Sequence, residues 1–94
     1  METGIDLIKK EREDQILKHG KTTDYDIEFN EGCQLSIAAA VICMPQVNFR
    51  YEPPTDWDIH TWNRMVSKSY RERLIIAGAL IAAEIDRLTA IGEI

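Results

Sequence analysis

Cysteine, proline and glycine are all scarce in this 94-residue chain, with two, three and five residues respectively. The cysteines, Cys33 and Cys43, have neither a CxxC spacing nor a paired histidine, which excludes a disulfide scaffold and a zinc knuckle. They read as small buried hydrophobes in a reducing compartment. So little proline and glycine excludes a collagen-like or low-complexity chain. Long hydrophobic runs are missing as well: the longest uncharged apolar stretch, Leu74 to Ala83, is about half of what a bilayer span requires. No membrane association is expected. The opening METGIDLIKKERED is charged within its first ten positions, unlike a secretory signal, so the cytoplasm is the expected compartment.

Positive charge is in deficit. A formal net charge of -5 excludes a general binder of DNA or RNA polymers, which needs a basic face to displace counterions. It does not exclude a small anionic ligand, because a local cluster of Arg and Lys can coexist with a negative total. No Ser/His/Asp or Cys/His constellation and no glycine-rich phosphate loop can be read, so catalytic residues, metal ligands and cofactors are not expected.

With 45% hydrophobic and 29% charged residues, the chain has the composition of one small globular domain spanning residues 1–94. Its periodicities are helical. Thr3 and Asp6 have capping-box spacing, and a first helix runs through Ile5, Ile8, Arg12 and Ile16 to Gly20. KTTDYDIEFNEG follows as a polar loop without a clear period. Asn30 can cap a second helix, EGCQLSIAAAVICM, which Pro45 stops. Only Gln34 and Ser36 are polar between Gly32 and Pro45, so this helix needs cover on every side. Residues 45–60 form an irregular loop rich in proline and aromatics, including Phe49, Tyr51 and Trp57. A short helix starts near Thr55 or Asp58 and runs to Met65.

The last helix gives the clearest signal. Ser69 and Glu72 have capping-box spacing, and RERLIIAGALIAAEIDRLTAI continues unbroken to Gly92. One stripe holds Tyr70, Leu74, Ala77, Ile81, Ile85 and Leu88; the opposite one holds Ile75, Ile76, Ala79, Leu80, Ala82 and Ala83. Two apolar faces require two partners. The small pairs Gly78/Ala82 and Ala79/Ala83 let another helix approach closely. Burying six such side chains is worth on the order of 10 kcal/mol before entropy is subtracted. The expected fold is all-α with three to four helices, two long antiparallel ones forming the core of a homo-oligomer.

Two clusters could bind a ligand. At 100° per residue, Arg12, Gln15 and His19 share the face of Ile5, Ile8 and Ile16, where polar groups are costly unless satisfied. Either Arg12 pairs with a carboxylate such as Glu84 or Asp86, or this face borders a site for a flat anionic ligand. In the second case Arg supplies a bidentate fork and Gln reads a base edge. The other cluster sets Arg64, Lys68, Arg71 and Arg73 beside Trp57, Trp62 and Tyr70. Between Pro45 and Arg73 the chain carries +1, against -4 over the first 32 residues. Aromatics among cations suit a stacked nucleobase and its phosphate, unless the tryptophans simply seal the core. An all-α nucleotide pyrophosphohydrolase of the MazG type would need paired acids on facing helices; Glu28–Glu31 and Glu11–Asp14 have that spacing.

GIDLIKKEREDQILKHG, TTDYD, NEG-QL-IAAA and RERLIIAGALIAAEIDRL together resemble a widespread family of short tailed-phage proteins, over about two-thirds of the chain. Lys21 stands where members often have an aromatic, and Asp24-Tyr25-Asp26 replaces a more histidine-rich loop. In size, helical content and implied self-association the chain also resembles the tetrameric anti-CBASS sponges of phages. That likeness implies a homo-oligomer, with a tetramer favoured, in the cytoplasm of an infected bacterium. It also implies sequestration of a cyclic dinucleotide, such as cyclic GMP-AMP, without cleavage, and the binding pockets are expected at subunit boundaries. The residues expected at phosphate are Arg12, Arg71 and Arg73; those for stacking are Tyr25, Trp57 and Trp62; Gln15 and His19 would meet base or ribose edges. The pyrophosphohydrolase, and an inhibitor that docks its aromatic loop on a host enzyme, are the alternatives.

Overall fold

A computed structural model describes residues 1–47 and 51–93, so the expectation for Phe49 lies outside the described residues. Among these residues five helices follow in chain order: α1 (Gly4–His19), α2 (Thr23–Phe29), α3 (Gln34–Ile42), α4 (Ile59–Val66) and α5 (Tyr70–Ala90). The all-α expectation holds, and no strand occurs among the described residues. Three to four helices were expected, and the additional one lies in the polar segment read as a loop.

Helix α1 is fixed at both ends as its sequence indicates. Thr3 Oγ1 accepts from the Asp6 N–H at 3.2 Å, and the Asp6 carboxylate accepts from the Thr3 N–H at 2.9 Å. Those bonds hold the Asp6 carboxyl below its ordinary range. Gly20 closes the helix in the left-handed region, at φ +66°. Helix α2 is too short to show a period. Thr22 caps it by accepting from the Tyr25 N–H, Asp24 and Asp26 lie in its positive first turn, and the Tyr25 and Phe29 rings meet at 4.7 Å.

The presence of α2 displaces the expected start of α3. Asn30 ends α2, donating its N–H to the Asp26 carbonyl, and does not cap α3. Cys33 takes that place in the left-handed region, at φ +66° and with no side-chain cap bond. Both cysteines were expected to be buried, yet both are exposed. The reason is positional: Cys33 and Cys43 flank the helix at its two caps, off the inward face formed by Leu35, Ala38, Ala39 and Ile42. Cover on every side is not achieved within one chain, since Ser36, Ile37 and Ala40 face outward.

The core joins that face of α3 to Trp62 and Val66 of α4 and to Ile76, Ala77, Leu80 and Ala83 of α5. Asp58 caps α4, accepting from the Thr61 N–H at 2.8 Å. Only half of the box expected at α5 forms: Ser69 Oγ accepts from the Glu72 N–H, while the Glu72 carboxylate faces Lys68 at 3.9 Å. Gly78 has a specific steric role. A Cβ there would stand 2.5 Å from Ile8 Cδ1, so the small residue seats α1 of the same chain. The stripe of Ile76, Ala79, Leu80 and Ala83 is buried, with Ala77 beside it, whereas Tyr70, Leu74, Ile81 and Ile85 are left exposed. No helix among the described residues is long and apolar enough to cross a membrane.

Candidate functional site

Helices α1, α2, α4 and α5 enclose a cavity of about 610 Å³ within a single chain. The spacing of Glu11, Arg12, Gln15 and His19 brings all four to one side of α1, and all four line the cavity. Lys21 enters from the turn that Gly20 makes, and α2 adds Tyr25 and Asp26. Across the opening stand Trp57, Asp58, Thr61, Arg64, Met65 and Lys68. Leu35, Ile76, Leu80 and Ala83 supply buried apolar wall. Small-molecule sites commonly pair an apolar wall with a few convergent polar groups; here the apolar wall is joined by a larger set of charged and polar side chains.

Among the described residues four cations and three carboxylates line this cavity, although the whole chain carries -5. Arg12 is the central group, with 8% of its surface exposed. Its Nη1 donates to the Lys21 carbonyl at 2.8 Å. Its Nη2 stands 3.8 Å from Asp26 and 3.9 Å from Asp86, within ion-pair range of both. Among the described residues no hydrogen-bond partner meets Nε or Nη2, which form the other edge of the guanidinium fork, or Asp26 Oδ2. Burial raises the Asp26 carboxyl above its ordinary range, against the opposing pull of the Asn30 bond and the Arg12 and Lys21 charges. Glu11 is raised too, first by burial and then by Asp14.

A buried relay fixes the aromatic side. Asn30 Nδ2 donates to Asp26 Oδ1 at 2.8 Å, and Trp57 Nε1 donates to Asn30 Oδ1 at 2.8 Å. The indole of Trp57 is thereby held at the cavity wall, edge-on to Trp62 at 6.3 Å. On the opposite side Lys21 Nζ lies 4.2 Å from the centre of the Tyr25 ring and 3.1 Å from its hydroxyl.

Of the residues singled out from sequence, Arg12, Gln15, His19, Tyr25 and Trp57 are brought together here. Trp62, Arg71 and Arg73 are not. Trp62 is 1% exposed and donates its indole N–H to the Tyr51 carbonyl, so its place is in the core. Arg73 is also buried: its Nε donates to Lys68 O, its Nη1 to Ile42 O and Met44 O, and its Nη2 to Pro45 O. Such a guanidinium is committed to the end of α3 and the turns beside it. Arg71 lies exposed in the first turn of α5, outside the cavity lining. The Glu84 alternative for Arg12 is taken by Arg87, at 2.6 Å, whereas Asp86 stands near Arg12 as the other alternative had it.

Sequence reasoning passed over Asp26, Asn30 and the binding potential of Lys21. The i, i+4 spacing of Asp26 and Asn30 was available as a signal, but their link to Trp57 spans 27 residues. The acidic pairs are dispersed: Glu28 and Glu31 are exposed and outside the cavity, and Asp14 faces Lys18 at 3.6 Å. Among the described residues no group of three or more His, Cys, Asp or Glu could hold a metal ion. Comparison of the chain with protein-family models, curated proteins and solved structures finds no match.

Proposed function

We propose that this protein binds a nucleotide signal, of the cyclic dinucleotide class, in the α1/α2/α4/α5 cavity and holds it without cleaving it. The observation that carries the reading is the guanidinium edge of Arg12, nine-tenths buried in a cavity that also contains Tyr25 and Trp57. It faces Asp26 and Asp86 at 3.8 and 3.9 Å but makes no hydrogen bond among the described residues. A buried donor that makes no hydrogen bond costs about 1–3 kcal/mol, so a ligand that supplies acceptors at bonding distance gains affinity by relieving it. The aromatics offer stacking area, and the surplus of cations favours an anion.

Binding alone is sufficient for such a function. A small protein made in excess lowers the free signal below the threshold of its effector, and in an infected bacterium this silences a CBASS-type defence. The resemblance to short phage proteins and their sponges supports that setting. Self-association belongs to the same reading, through the exposed stripe of Tyr70, Leu74, Ile81 and Ile85 on α5. The site itself lies inside one chain, so pairing adds avidity or bridges a two-base ligand.

A thermal-shift panel of mononucleotides and of cyclic di- and trinucleotides tests the reading. A ligand at 100 times its dissociation constant adds about 2.7 kcal/mol, and each kcal/mol moves the midpoint of a domain this small by roughly 4–8 °C. The bound nucleotide must be recovered intact on chromatography. Release of monophosphate from a triphosphate with magnesium overturns sequestration in favour of hydrolysis. No shift with any nucleotide, together with stoichiometric capture of one host enzyme, overturns it in favour of a docking inhibitor.

A further inference from the structure

This inference rests on the nucleotide reading and concerns which end of the ligand goes where. We infer that a nucleotide unit enters base first, with its phosphate held at the rim by Arg64 and Lys68. Polarity differs between the two ends of the cavity. The covered end combines the apolar wall of Leu35, Ile76 and Leu80 with the buried pair Arg12 and Asp26. At the open end Arg64 and Lys68, both exposed, follow one another by one helical turn across the end of α4.

A phosphate at the covered end would be brought beside the Asp26 carboxylate, itself 1% exposed and little screened by water. It would also surrender its hydration to an apolar wall. A neutral base meets neither penalty. Its ring covers the apolar surface beside Trp57, and its edge carries both acceptors and donors. Acceptors suit the unmet Nε and Nη2 of Arg12, and a donor suits the unmet Oδ2 of Asp26. Those three atoms are shielded from water by neighbouring side chains, so the entering edge displaces part of that cover. At the rim Lys68 also faces Glu72 at 3.9 Å, and Asp58 stands nearby on the same wall. Both carboxylates are exposed and screened by water, so a phosphate there keeps much of its hydration and gains two cations. The Arg12 fork thus reads the base, and the phosphate belongs to a pair on the other wall. A cyclic dinucleotide offers one base to this cavity and leaves the second directed outward, where a second copy can take it.

Guanosine and guanosine 5'-monophosphate separate the two ends, with tryptophan fluorescence and calorimetry as readouts. In the wild-type protein the monophosphate binds more tightly, and its advantage falls as salt rises. Loss of both rim cations, in Arg64→Ala/Lys68→Ala, reduces monophosphate affinity about tenfold or more and brings it to the level of guanosine. Guanosine affinity stays as it was. Both substitutions are at exposed positions, and circular dichroism checks the fold. Ribose 5-phosphate, which has no base, leaves the fluorescence unchanged at all concentrations at which guanosine alters it. The orientation is overturned if the monophosphate keeps its advantage in the double variant, or if guanosine weakens equally. It is also overturned, with the nucleotide reading intact, if cyclic di-GMP binds while neither half-sized guanine compound does. Failure of every nucleotide to bind removes both.

Discussion

Replacement of Arg73 by methionine separates a structural arginine from a ligand-binding one. Methionine keeps most of the stem and removes the guanidinium, which donates at 3.1, 3.0, 2.6 and 3.2 Å to the carbonyls of Lys68, Ile42, Met44 and Pro45. A hydrogen bond from a charged group contributes about 1.5–3 kcal/mol. Adding four in full would overstate the cost, because only the bond to Ile42 is fully buried and the other carbonyls can recover water. The buried bond at full weight and the others at a fraction give a loss of about 3–5 kcal/mol. A 94-residue domain has roughly 5–14 kcal/mol to lose. The thermal midpoint should therefore fall by at least about 12 °C, and urea unfolding should show an earlier midpoint with little change in slope. Lysine, which has three donors on one point, should recover only part of the loss. Nucleotide affinity, measured well below the new midpoint, should be unchanged. An Arg73→Met variant less than about 1 kcal/mol weaker than wild type, or one with an intact midpoint and weakened binding, would return Arg73 to the ligand.

Two further outcomes follow from packing and charge. Gly78→Ala should cost about 1–2 kcal/mol, as overpacking against Ile8 outweighs the roughly 1 kcal/mol of helix propensity gained; with Ile8→Ala the same change should stabilise, and equal effects in both backgrounds would exclude the steric account. Asp26 binds its proton more tightly folded than unfolded, so its contribution to stability is greatest below the ordinary carboxyl range and is lost as pH rises through the raised folded value. Asp6 and Asp58 act in the opposite sense, since their lowered carboxyls favour folding above the ordinary range and lose that contribution as pH falls. Asp26→Asn should remove only the first component, and a stability profile parallel to wild type from about pH 3 to 7 would refute the burial of that charge.

Legibility in the sequence followed the length of each element. The termini of α1 and the run of α5 could be read because Thr3, Asp6, Gly20 and Ser69 are local signals whose bonds stay within a turn or so of the chain. Helix α2 is not legible from periodicity because seven residues cannot display a 3.6-residue period; Thr22 and the Tyr25/Phe29 pair are its local marks. Cys33 at positive φ had no signal at all, since the conformation is imposed by the turn between α2 and α3. Half of the site was legible for a simple reason: Arg12, Gln15 and His19 violate the apolar pattern of their own helix face. The far wall was not, because Asp26, Asn30 and Trp57 meet only after the chain has folded. Arg73 and Trp62 were drawn to the site by their chemical type, and burial rather than chemistry decided their role.

Whether a nucleotide edge completes the fork of Arg12 can be read at the guanidinium itself. Side-chain nitrogen–proton spectra of a ¹⁵N-labelled sample resolve arginine Nε–H groups one by one, and titration with cyclic di-GMP follows Arg12 among them. The Arg12 Nε–H signal should shift saturably and become protected from exchange at one nucleotide unit per chain, while that of Arg73 stays fixed. A ligand that saturates the protein without moving the Arg12 signal, or moves Arg73 in its place, would refute the binding role given to that fork.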